Sequence, residues 1–167
     1  IVEENISSLM VVTDRDEASD AKIKYQINDS LEQISVENNH WKNNTIQDSF
    51  GQIKSVCTYL LIIPAGEKGA LERVIIDALN DIPEETALMG EVEQFIDALK
   101  AGLVPDLNQI NNANKATVGA FFSVRYPKKA MRSFAVFISK IDWSKSASLN
   151  QLFLPFQCLG EDKPSEK

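Results

Sequence analysis

The sequence predicts an α/β fold: a small, largely parallel sheet with helices on both faces, followed by a helical C-terminal half. Two near-continuous apolar runs, one ending Leu9-Met10-Val11-Val12-Thr13 and one covering Val56–Ile63, have the composition of strands buried on both faces. Each run is followed by an apolar stripe of helical period, which makes two strand–helix units. Beyond residue 90 the apolar positions fall mainly at helical spacing.

Taken in order, the first strand stops at Asp14, Asp16 and Glu17. Ser19 or Asp20 then caps a helix carrying Ile23, Ile27, Leu31 and Ile34 inward, with its end expected near Ser35. Residues 38–52 are rich in Asn and read as a loop, with a short edge strand around Thr45–Phe50. Pro64 closes the second strand, Ala65–Gly69 makes a turn, and Leu71, Val74, Ile75, Ala78 and Leu79 give the next stripe. Val92, Phe95, Ile96 and Leu99 mark another helix, closed by Gly102 and Pro105. Further helices are expected over about Gln109–Val124, around Met131–Ile138, and over Leu149–Leu159, the last kinked or shortened by Pro155.

Length and 44% hydrophobic content allow one sizeable core, and no run approaches a membrane span. No signal peptide is visible, so a cytoplasmic protein is expected. Cys57 and Cys158 have neither metal-type spacing nor a disulfide framework and read as buried thiols of a reducing compartment. His40 is the sole histidine, in a polar stretch, which argues against a Ser-His-Asp triad or a His-rich zinc site. Gly66 and Gly69 lack the spacing of a nucleotide-binding P-loop. The net charge of −7 argues against indiscriminate nucleic-acid binding. The segment Lys115–Lys145 differs from the rest: seven basic residues stand against Asp142 alone. That layout suits a phosphate backbone held over bound metal, and it equally suits a solvated helix face.

In open α/β sheets the ligand crevice lies beyond the carboxyl ends of the strands. Asp14 and Asp16, two apart, can face one point there. Hard cations such as Mg²⁺ take one or two such carboxylates and complete their shell with water or phosphate oxygens. Glu72, in the first turn of the second unit's helix, approaches the same crevice if the two strands are parallel. A simpler explanation covers all three acids, since carboxylates also complement the positive end of a following helix.

The ordered blocks Thr13-Asp14-Arg15-Asp16-Glu17, Ile62-Ile63-Pro64, Gly69-Ala70-Leu71-Glu72 and Asn114-Lys115-Ala116 resemble the Toprim-like bacterial proteins of uncharacterised function. Those are relatives of the overcoming-lysogenisation-defect (OLD) nucleases and, more distantly, of topoisomerase and primase Toprim domains. The likeness covers roughly Leu9 to Leu159. It implies one Toprim-like (Rossmann-like) domain over 1–160, with 161–167 as a flexible tail. It also implies Mg²⁺ or Mn²⁺ bound by Asp14, Asp16 and Glu72, with Glu72 and Lys115 taking part in phosphodiester cleavage and Lys115 near the scissile phosphate. Nucleic acid would then lie along the Lys115–Lys145 segment. Toprim domains carry a further glutamate after an earlier strand, and Glu3 and Glu4 lie too close to the first strand to replace it. The expectation is that this strand precedes Ile1 in the native chain, or that the residue and its chemistry have been lost. The alternative function is therefore a catalytically inactive Toprim-like binding or regulatory protein. A small-molecule enzyme working at the same strand ends is a third class, for which the sequence offers no cofactor motif.

Overall fold

The longest apolar run becomes the centre of a sheet. In the computed structural model the described residues are 6–15, 18–47, 50–64, 71–129 and 138–157, and the chain divides into two compact units, Ile1–Ala70 and Leu71–Lys167. In the first unit the strands β1 (Ser8–Asp14), β2 (Lys42–Gln47) and β3 (Ile53–Ile63) lie in the order β1-β3-β2. Thr58 to Ile63 are all buried, as befits a strand with neighbours on both sides.

The sheet is mixed, which corrects the expectation of a largely parallel one. β1 runs parallel to β3, with Val11 opposite Leu60 and Asp14 opposite Ile63, whereas β2 runs antiparallel to β3. The connection over residues 48–52 is too short for a crossover, so β2 and β3 can neighbour each other only antiparallel. A second correction concerns β1. Among the described residues it pairs on one side only, its side chains are half-buried, and Val12 is 49% exposed. An apolar run reports that a strand is covered on average; it does not report whether a further strand flanks it.

Helix α1 (Asp20–Leu31) crosses between β1 and β2. The Ser19 hydroxyl caps it by accepting from the Lys22 N–H at 3.4 Å. It stops four residues before the expected end, where Glu32 takes a φ of 50°. Ile23, Ile27 and Leu31 pack with Val36, Leu60, Ile62 and Val11 to form this unit's core. β2 begins at Lys42 rather than Thr45, because its asparagines are structural. Asn44 Oδ1 accepts from the Ser35 N–H at 2.9 Å, and its Nδ2 donates to the Thr58 hydroxyl at 2.9 Å. That hydroxyl in turn donates to the Ser35 carbonyl at 2.7 Å.

The second unit contains α2 (Leu71–Asp81), α3 (Pro83–Lys100), α4 (Ile110–Arg125) and α5 (Ala147–Gln157). Its core takes Ile75, Ile76 and Leu79 from α2, Met89, Val92 and Ile96 from α3, and Val118, Phe121 and Phe122 from α4. These are the inward positions of three amphipathic stripes. α5 runs over 147–157 and ends within a turn of Pro155, whose missing N–H removes an i→i−4 hydrogen bond, so it is shortened as expected. Its start is capped twice. Ser146 Oγ accepts from the Leu149 N–H at 3.1 Å, while Asp81 accepts from the Ser148 N–H at 2.7 Å and from the Ser148 hydroxyl.

No helix among the described residues is long and apolar enough to cross a membrane. Cys57 is half-buried rather than sealed. The turn at 65–69, most of the helix expected at 131–138, Cys158 and the tail at 161–167 lie outside the described residues.

Candidate functional site

Parallel pairing of β1 with β3 places Asp14 at the carboxyl end of the first unit's sheet, level with Ile63, where its side chain is exposed. The chain then turns under a backbone tether: the Arg15 N–H donates to the Ile63 carbonyl at 2.7 Å. Ala18 N–H donates to the Arg15 carbonyl at 3.0 Å, which closes a short turn leading to the Ser19 cap of α1. Asp16 lies outside the described residues.

Beside this corner, Arg15 Nη2 stands 2.7 Å from Asp20 Oδ1, and Asp20 Oδ2 accepts from Asn38 Nδ2 at 2.8 Å. Asn38 is held in place because residues 37–39 run alongside β3. The Leu60 N–H donates to the Glu37 carbonyl at 3.0 Å, and the Asn39 N–H donates to the Leu60 carbonyl at 2.9 Å. The Lys24 ammonium, hydrogen-bonded to Glu37, holds that carboxyl below its ordinary range, with Lys42 adding to the effect. In the sequence Asn38 falls in an Asn-rich stretch that reads as a polar loop. The signal that could have identified it is the loop's position just before a strand, where an Asn can bond across to a helix start.

Of the other residues, Glu72 sits half-buried in the first turn of α2, and Lys115 is exposed on α4, both in the second unit. Glu72 complements the positive end of α2 whatever else it does. Among the described residues no group of three or more His, Cys, Asp or Glu side chains is close enough to hold a metal. The described part of the acidic corner contributes the carboxylate of Asp14, a hard oxygen donor of the kind Mg²⁺ or Mn²⁺ takes, which need only one or two carboxylates.

The basic segment is less uniform in space than in sequence. Arg125 is bound to Glu85 of α3 through Nε at 2.8 Å and Nη2 at 3.1 Å, and Lys145 is paired with Glu84. Lys140 and Arg125 both lie against the Tyr126 ring, 5.7 and 5.4 Å from its centroid. Part of the positive charge therefore serves helix packing. Arg132 lies outside the described residues.

No curated protein and no solved structure matches the chain. A family model described as "Protein of unknown function (DUF3226)" matches residues 1–154, and the chain belongs to that family.

Proposed function

We propose that the carboxyl end of the β1–β3 pair is a divalent-cation site and that the protein is a Mg²⁺- or Mn²⁺-dependent, nuclease-like phosphodiesterase of Toprim type. The observation that supports this reading is the place of Asp14, exposed at the end of a strand that runs parallel to its neighbour. Asp14 and Asp16 would supply the hard oxygens that hold the cation, with Glu72 as a further acid. A divalent cation bound there neutralises phosphate oxygens and lowers the pKa of a water molecule. As the Toprim likeness implies, Glu72 and Lys115 would take part in the cleavage, the Lys115 ammonium by offsetting the charge that develops on the phosphate.

The test is titration calorimetry of Mg²⁺ and Mn²⁺ into the wild type and an Asp14→Ala/Asp16→Ala variant, paired with a cleavage assay on single- and double-stranded nucleic acid. The expected result is binding and metal-dependent cleavage in the wild type, both lost in the variant. Cleavage that survives the double substitution refutes the assignment. Binding without cleavage selects the second reading, a Toprim-like binding or regulatory module. The neutralisation of Arg125 and Lys145 by α3 acids supports that reading, because it leaves less charge for a nucleic-acid backbone.

A further inference from the structure

The sheet of the first unit has two edge strands, β1 and β2, and they differ in composition. β2 carries Lys42, Asn43, Asn44 and Gln47, the charged and polar character that keeps an edge strand from pairing with another chain. β1 has no such protection: between Ser8 and Thr13 it holds Leu9, Met10, Val11 and Val12, with no charge and no proline. None of its residues is buried, and Val12 is 49% exposed. Its hydrogen bonds identify the groups that face outward. The Cys57 N–H donates to the Ser7 carbonyl at 2.9 Å and the Arg15 N–H to the Ile63 carbonyl at 2.7 Å, so the odd-numbered residues turn their backbone groups toward β3. Alternate residues of a parallel ladder bond to one side. The backbone groups of Ser8, Met10 and Val12 therefore turn to the opposite edge, where no strand lies among the described residues.

We propose that this edge pairs with the same edge of a second copy of the chain, antiparallel about a two-fold axis at Val11, joining two three-stranded sheets into one of six. Self-complementarity singles out this occupant. With Val11 opposite its own counterpart, Met10 stands opposite Val12 twice over, so their outward backbone groups meet and apolar side chain lies against apolar side chain. Ser8 then stands opposite Asp14, a hydroxyl donor against a carboxylate that accepts several hydrogen bonds. Sliding the pairing by two residues sets Asp14 against Ile6 or Met10 instead, so the strand matches itself in one register. The two Asp14 residues lie at opposite ends of the pair, about 20 Å apart at about 3.3 Å per residue. That is well beyond the screening length of about 8 Å, so their like charge does not oppose pairing.

The test is sedimentation equilibrium over about a hundredfold range of protein concentration, with twice the chain's mass expected at the upper end. Val12→Lys, at an exposed position, places an ammonium from each copy on the joined edge and should raise the dimer dissociation constant at least about tenfold, with circular dichroism confirming the fold. The register is tested separately. Opposed residues that share no hydrogen bonds have Cα atoms about 4.5 Å apart, within disulfide reach. Val11→Cys should therefore cross-link two chains under mild oxidation, more than the unaltered chain does. Thr13→Cys, about 13 Å from its own counterpart, should not. The variants leave the proposed metal ligands in place, so the outcome does not depend on the metal reading. A wild type that stays monomeric throughout, or a Val12→Lys variant that dimerises as well as the wild type, overturns the proposal. Dimerisation without the Val11→Cys cross-link overturns it too, since the copies then meet elsewhere. If Val12→Lys does not fold, the two cysteine variants decide alone.

Discussion

Glu85 is the most deeply buried acid among the described residues of α3: it is 5% exposed and is paired with Arg125 at the end of α4. The pair is forked, with Nε donating at 2.8 Å and Nη2 at 3.1 Å, and the carboxylate raises the already high pKa of Arg125. Arg125→Ala strands a carboxylate in the interior. Breaking a fully buried pair costs about 3–5 kcal/mol, and a hydrogen bond to a charged group is worth about 1.5–3 kcal/mol. Because the Arg125 side chain is 42% exposed, water reaches the site and the lower range applies, so about 2 kcal/mol is expected. Glu85→Leu is the milder change, because Arg125 can turn to solvent; it should cost under about 1 kcal/mol. Glu85→Leu/Arg125→Ala should lie within about 1 kcal/mol of wild type, since neither charge is then left alone. Urea denaturation followed by helical circular dichroism reads this directly, with Arg125→Ala lowering the midpoint by about 1 M. If Arg125→Ala is neutral, or if Glu85→Leu proves as costly as Arg125→Ala, the argument from asymmetric burial is wrong.

Two further outcomes follow from the same geometry. Thr58→Val keeps the shape of a fully buried side chain but removes the hydroxyl that joins Ser35 to Asn44, so a loss of about 1–3 kcal/mol is expected in thermal unfolding, and a neutral result would mean that the network is dispensable. Asp81 is held below its ordinary value of 3.8, chiefly by the Ser148 hydroxyl and then by the Ser148 N–H. A depressed folded pKa means that its contribution is complete above about 3.8 and is lost as pH falls through the lower folded value. As a helix cap, exposed enough for water to compete, Asp81 should be worth at most about 1 kcal/mol at neutral pH, and Asp81→Ala should leave stability less acid-sensitive below pH 4; an unchanged acid limb in the denaturation profile would refute the cap.

Much of the architecture can be read without coordinates. The apolar density of Val56–Ile63 marks the central strand, since a doubly paired strand needs both faces covered, and the stripes at Leu71–Leu79, Val92–Leu99 and Gln109–Val124 mark three packed helices. The Ser19 cap is equally local, because a hydroxyl one residue ahead of a helix finds its N–H partner within the same turn. Edge status is a different matter. β1 looks like a central strand because burial pattern does not encode how many neighbours a strand has, and β2 was hidden because Asn43, Asn44 and Thr45 have loop composition.

By itself, then, the sequence determined the periodic elements, their order, and the Asp14-Arg15-Asp16 corner at the end of an apolar strand. Each of these depends on neighbours within a few residues, where chemistry and spacing act directly. Only the tertiary structure decided that β1 and β3 run parallel while β2 does not, that Arg15 turns inward to Asp20, which Asn38 also bonds, and that Glu85 draws Arg125 out of the basic segment. Those outcomes join residues from 5 positions apart, Arg15 and Asp20, to 49, Asp14 and Ile63, and a charge in the sequence carries no mark of the partner that will neutralise it.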